Sequence, residues 1–246
     1  QLLQSLADVQ ISVDLAPTLE ILRSLTPPVP HLAGLELHGR SLVAQSVGGD
    51  AFDFIDYPDG QLGLSIADPR GKGLPAALLA VAYRSMLRAL VGVDLRLRAT
   101  FARMSQMLER SMPAGTFVTA FYGVVDVAER RMVYANAGHP PPLVVRRTGA
   151  TELLTPTAAA LGFPQAHPIK EGYVNFAPGD GIVLYTDGVT EAGPSPDRFL
   201  DLAGLERVVA ARWHSPAADI CHAVLDEVAA YAADDATVVV AKFQPM

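Results

Sequence analysis

The stretch VGGDAFDFIDYPDGQLGLSIADPRGKG, residues 47–73, limits the fold more than any other part of the chain. Two runs rich in aromatic and branched residues flank Pro58-Asp59-Gly60, which suits a three-residue hairpin loop: a type I turn closed by a left-handed glycine. With that loop Tyr57 opposes Gln61, and counting outward places Asp50 opposite Asp68 at the open end of the hairpin. Side chains alternate across a strand, so Asp50 shares a face with Phe52, Phe54, Leu62, Leu64 and Ile66. Asp53 falls on the other face with Gln61 and Ser65. Two like charges opposed at the end of an apolar face destabilise it unless a cation or a shared proton compensates, and a divalent metal is the simplest answer.

The remaining chain frames that hairpin. Strand patterns fall near 34–45, 51–57, 61–67, 116–126, 131–136, 142–147, 172–176, 181–186 and 236–243, and helical patterns near 73–91, 95–112, 201–212 and 216–231. Strands joined by tight turns, with helices arriving in pairs, predict antiparallel sheets covered by helices and not an alternating parallel fold. Residues 2–25 carry apolar positions at helical spacing (Leu15, Leu19, Leu22), and the proline cluster at 26–30 ends that pattern. We therefore divide the chain into a helical lead-in, 1–30, and one domain, 31–246. The chain opens at Gln1 without a leader pattern, which predicts a piece of a longer protein, with a sensor domain before it.

Composition excludes several classes. A net charge of -7 and no basic stripe argue against a nucleic-acid binder. Apolar runs such as 76–83 are too short to span a bilayer. A single cysteine, Cys221, rules out an intrachain disulfide and a cysteine metal cluster, and fits a reducing, cytoplasmic setting.

More carboxylates stand at strand ends. YTDGVTE places Asp187 just past an apolar strand, with Gly188 allowing the turn that exposes it, and AADDATVVVA places Asp234 and Asp235 just before another. Each alone reads equally well as a helix cap or loop carboxylate. Together with Asp50 and Asp68 they form an oxygen-only donor set suited to magnesium or manganese. Two such ions acidify water and clamp the oxygens of an in-line phosphoryl displacement, so the chemistry implied is phosphoester hydrolysis. Lys72 lies in GKG, which lacks the spacing and the Ser or Thr of a nucleotide-binding loop; it opens the helix at 73–91 instead. His139, in NAGHPPP, reads as a turn residue unnecessary to the chemistry. Cys221 and His222 read as packing or rim residues, and Met104, Met107 and Leu108 as a core-facing stripe.

Six segments in order, VGGDAFDF, ADPRGKGLPAALLA, FVTAFYGVVD, YANAGHPPPLVV, YTDGVTEA and DDATVVVA, resemble bacterial metal-dependent (PPM-type) serine/threonine protein phosphatases. The likeness is to the branch of sporulation stage II protein E and the sigma-factor B regulator phosphatases, and it covers roughly 15–246. It implies an α+β fold: a four-layer α-β-β-α sandwich of two antiparallel sheets flanked by helices. It also implies two Mn2+ or Mg2+ ions per domain, held by Asp50, Asp68, Asp187, Asp234 and the backbone carbonyl of Pro69, with catalysis through metal-bound water.

Where these proteins commonly read DVSGKG, this chain reads DPRGKG. Proline keeps the carbonyl, and Arg70 is left either to hold a substrate phosphate or to point into solvent. The resemblance further implies a phosphorylated protein substrate, an antagonist of an anti-sigma factor, in a partner-switching stress or developmental pathway, and dimerisation through the N-terminal helix. Two rivals remain: a non-catalytic regulatory scaffold with the same fold, and a hydrolase of small phosphoesters.

Overall fold

In the computed structural model, which describes residues 20–22, 26–91, 96–165 and 167–244, the hairpin forms as its sequence predicts. β1 (Leu35–Leu42) precedes it, and β2 (Ala51–Asp56) and β3 (Gln61–Pro69) pair antiparallel, with Ala51 opposite Ala67 and Asp56 opposite Leu62. The turn differs in detail: Asp59 as well as Gly60 is left-handed, with φ of 67° and 73°. Asp tolerates that region better than most residues, and the Tyr57 N–H donating to the Gln61 carbonyl at 3.1 Å keeps the register.

β3 pairs on its other side with β4 (Val118–Asp126), followed outward by β5 (Arg131–Ala137) and β8 (Gly172–Asn175). The second sheet runs β1, β10 (Ala236–Phe243), β9 (Gly181–Tyr185), β6 (Leu143–Val145) and β7 (Thr151–Leu153), and all its pairings are antiparallel. β7 carries no alternating pattern, and its three residues pair only because β6 lies alongside; sequence reading missed it.

Phe52, Phe54, Leu62, Leu64 and Ile66 project inward and meet Leu184, Val239 and Phe243 of the opposite sheet. Each fully buried aliphatic side chain there contributes roughly 1.5–3 kcal/mol. Helices α1 (Leu74–Val91) and α2 (Leu97–Ser111) cover the outer face of the first sheet. The short α3 (Asp187–Thr190) lies beside β10, and α4 (Asp201–Arg212) and α5 (Ala217–Val228) cover the second sheet. The protein is thus a four-layer α-β-β-α sandwich.

Helix α1 is long and apolar enough to cross a bilayer by composition alone, with a mean hydropathy of 1.4, which the short runs in its sequence did not lead us to expect. Here it packs on the hairpin through Ala76, Ala77, Ala80, Tyr83 and Leu87. Its Arg84 and Arg88, one helical turn apart, meet Asp53 on the outer face of β2. Arg88 forms a bidentate pair at 2.6 and 2.7 Å, and Arg84 approaches at 3.4 Å. Asp53 is thereby consumed in docking α1.

On α2, Met104 and Leu108 are buried with Phe101, whereas Met107 is exposed. The expected stripe was drawn one residue too wide: residue 107 lies at the edge of the arc that Phe101, Met104 and Leu108 turn inward. The lead-in helix falls almost wholly outside the described residues; 20–22 are helical.

Candidate functional site

One end of the sandwich collects the strand termini that carry the predicted carboxylates. Asp50 immediately precedes β2, Asp68 and Pro69 end β3, Asp187 follows β9 at the start of α3, and Asp234 precedes β10. Because β2 and β3 are antiparallel, as are β9 and β10, the start of one strand lies beside the end of its partner, and stacking the sheets brings both ends together. Pro69 stands opposite Val118, and the Arg70 N–H resumes the ladder by donating to the Phe117 carbonyl at 3.0 Å, so the missing proline donor falls at a strand end.

Asp50 bridges the sheets. Its Oδ2 accepts hydrogen bonds from the hydroxyls of Thr186 at 2.8 Å and Thr237 at 2.7 Å, and Ser41 donates in turn to the Thr237 oxygen at 2.8 Å. The paired aspartates are not interchangeable. Asp235 accepts the backbone N–H of Ala44 at 2.8 Å and of Gly49 at 2.5 Å, pinning the loop that carries Asp50. Asp234 is left for the site and meets Lys72 Nζ at 2.8 Å. Lys72 also donates to the Ala233 carbonyl at 3.0 Å, so GKG both opens α1 and delivers a cation to the acidic cluster.

The charges are mutually unfavourable. Burial, then the neighbouring Asp68 carboxylate, hold the Asp50 carboxyl well above the usual range despite its two hydroxyl donors. Burial, reinforced by Asp187, Asp234, Asp235 and Glu191, pushes Asp68 up to about 7. Burial and the charges of Glu191 and Asp234 raise Asp187. A cluster this strained by its own charge, built only of oxygen donors, fits hard divalent cations. Among the described residues no three His, Cys, Asp or Glu side chains stand close enough together to hold a metal ion without moving. Magnesium and manganese keep several waters and take few carboxylates each, so they ask less convergence of the protein than a fully protein-ligated ion does.

Gly188 earns its place for a different reason than the sequence predicted. Its backbone is not left-handed; rather, a Cβ there would sit 2.0 Å from the Asp235 carbonyl oxygen, so glycine lets α3 press against β10. Arg70 is exposed, with Nη1 donating to the Gly115 carbonyl at 2.9 Å and its guanidinium over the Phe117 ring. Thr186, Thr237 and the role of Asp235 escaped sequence reading. The signal lay in the hydroxyl-bearing residues flanking YTDG and DDAT, but which oxygen they reach depends on how the sheets stack.

His139 is a buried crosslink and not a surface turn. Its backbone and the Asn136 amide exchange two hydrogen bonds, Nε2–H donates to the Tyr185 carbonyl at 3.0 Å, and Nδ1 therefore accepts from the Thr119 hydroxyl at 3.1 Å. It joins β4 of one sheet to β9 of the other, and burial pushes its imidazole down to about 3. The unfolded chain takes up a proton near pH 6.5 that the folded chain refuses, so this stabilisation is present above pH 6.5 and lost as pH falls towards 3. At pH 5 the loss should be about 2 kcal/mol. Urea midpoints at pH 7.5 and 5 should differ more in the wild type than in His139→Gln, and equal differences would count against the crosslink.

Cys221 is buried on α5, and the His222 ring meets His38 edge-on at 5.7 Å, in keeping with packing roles.

Residues 58–244 match the family described as Stage II sporulation protein E (SpoIIE). The chain is 26% identical over 223 residues to phosphoserine phosphatase RsbU of Bacillus subtilis, covering 90% of this chain and 64% of that relative. Among solved structures, the SiaA-PP2C domain of Pseudomonas aeruginosa superposes with a TM-score of 0.81 at 20% identity, covering 97% of this chain and 99% of that one. The RsbU and RsbW domains of Rv1364c from Mycobacterium tuberculosis give a TM-score of 0.78 at 24% identity, covering 90% of this chain and 64% of that one. The chain thus spans just under two thirds of the length of the RsbU relative.

Proposed function

Starting from a chain that belongs to the Stage II sporulation protein E (SpoIIE) family, we propose that it is a metal-dependent serine/threonine protein phosphatase that hydrolyses a phosphomonoester on a partner protein. The observation that carries this reading is the meeting of Asp50, Asp68, Asp187 and Asp234 at one end of the sandwich, where burial and mutual repulsion call for cations.

Asp50, Asp68, Asp187, Asp234 and the Pro69 carbonyl would hold two Mn2+ or Mg2+ ions. Such ions supply acidified water and neutralise charge on the phosphoryl oxygens when bound. The chain's own contribution is positioning. Thr186 and Thr237 aim Asp50, Asp235 fixes the loop before β2, and Gly188 sets Asp187 close to the start of β10. Lys72 holds Asp234 at the rim. Among the described residues, the hydroxyls beside Asp50, those of Thr186 and Thr237, are engaged in donating to its carboxylate, which favours direct attack by water, with solvent protonating the serine or threonine leaving group.

The substrate would be a small phosphorylated antagonist of an anti-sigma factor, acting in the cytoplasm in a partner-switching stress or developmental pathway; the likeness to RsbU supports this. Residues 1–30 would form the lead-in that joins the phosphatase domain, 31–246, to a sensor and pairs two copies.

Calorimetric manganese titration beside hydrolysis of an aryl phosphate and a phosphoserine protein tests the activity. Manganese-dependent turnover is the expected result. Metal binding with no turnover of either substrate would leave a regulatory scaffold, and no binding at millimolar manganese would overturn the metal site itself.

A further inference from the structure

Two residues beyond Asp68 stands Arg70, and the fold has built a support under that side chain. The Phe117 ring lies beneath the guanidinium, 5.5 Å from its central carbon. Phe163, 39% exposed, stacks on Phe117 with ring centroids 4.8 Å apart and planes inclined by 28°. Gly115, left-handed at φ 83°, turns its carbonyl to accept from Arg70 Nη1 at 2.9 Å, and the Arg70 N–H is tied to the Phe117 carbonyl at 3.0 Å. Segment 115–117 thus supports one exposed side chain, and Phe163 backs that segment.

We propose that Arg70, held over the Phe117 ring that Phe163 backs, is a substrate-phosphate contact; the inference rests on the phosphatase reading above. The chemistry is that of a guanidinium restrained before its ligand arrives. An unrestrained surface arginine loses rotamer freedom on binding, whereas the Phe117 ring and the Gly115 carbonyl have already limited this one. Gly115 takes one of the five N–H donors, and four remain, enough for two parallel bonds to a phosphate dianion. Asp68, Pro69 and Arg70 are consecutive, so the Arg70 backbone leaves β3 directly beside the acidic end of the sandwich. Lysine could not replace it, because an ammonium neither stacks flat nor bonds in a fork. Phe117 and Phe163 are positioning residues in this scheme.

The experiment uses the manganese-loaded protein, an aryl phosphate as substrate and inorganic phosphate as competitive inhibitor. Arg70→Ala should raise both KM and the phosphate inhibition constant roughly 10- to 100-fold, the scale of a charge-assisted hydrogen-bonded contact. Arg70→Lys should recover only part of that loss, and Phe117→Leu should raise both constants less than Arg70→Ala does. Manganese affinity and the urea midpoint should stay at wild-type values in all three variants. Turnover in the wild type with an unchanged inhibition constant in Arg70→Ala would overturn this inference and leave the phosphatase reading standing. A raised constant accompanied by lost manganese affinity or a lowered midpoint would assign Arg70 a structural role. Absence of wild-type turnover would remove both.

Discussion

Asp68→Asn is expected to abolish manganese-dependent hydrolysis, by about a thousandfold or more, and to make the metal-free protein more stable. Both effects come from one cause. Asp68 lies at the end of β3, between β2 and β4, partly buried among Asp187, Asp234, Asp235 and Glu191, and its carboxyl is pushed up to about 7. A carboxylate whose folded pKa exceeds its unfolded value costs stability as pH rises from about 4 through 7, and removing the charge returns that cost. The gain at pH 8 should be of order 1–2 kcal/mol, discounted because the group is partly exposed. The same substitution removes one of the carboxylates proposed to hold the cations, and losing a transition-state interaction on that scale costs about 4 kcal/mol of activation energy. A higher urea midpoint without metal, a lost stabilisation by manganese and absent turnover should appear together. Unchanged manganese stabilisation would place the cation elsewhere.

Gly188→Ala should be the most damaging glycine-to-alanine change among the described residues. The new Cβ would sit 2.0 Å from the Asp235 carbonyl oxygen and 2.9 Å from its carbon, both backbone atoms of the segment entering β10. No rotamer can relieve that contact, so α3 and β10 must separate, which costs about 3 kcal/mol or more. The separation also moves Asp187 away from Asp234, so manganese affinity should fall along with stability. Gly60→Ala is the control. Its Cβ would meet nothing within 4 Å, and the left-handed φ of 73° alone should cost about 1 kcal/mol. Equal urea midpoints for the two variants would show that the close approach at Gly188 does not hold the site together.

These two glycines mark how far the sequence could be read. Gly60 was legible because a turn after a strand is a local event, governed by the φ of the residues within it. Gly188 was expected to serve a turn and serves a contact, and nothing in YTDGVTE reveals a carbonyl arriving from residue 235. The same divide separates the hairpin from the partners of Asp50. Alternation and the Pro58-Asp59-Gly60 loop set the register of β2 on β3 and turned Phe52, Phe54 and Leu64 to one face, because a strand has period two. The hydroxyls of Thr186 and Thr237 reach Asp50 only because two sheets stack.

Helix α2 divides likewise. Its amphipathic period was plain, while the exposure of Met107 depended on how wide an arc the sheet could cover. His139 looked like a turn residue beside its prolines and became a buried crosslink once β4 and β9 closed over it. By itself the sequence determined the local geometry: strand phase, helix faces, the hairpin register and which carboxylates stand at strand ends. Only the tertiary structure decided which of them gather at one end, that Asp235 holds the loop before β2, and that Arg70 lies over the Phe117 ring. The physical reason is range: backbone torsions and side-chain periodicity act over a few residues, whereas charge repulsion, close packing and hydrogen bonds between sheets act between groups that folding alone brings into contact.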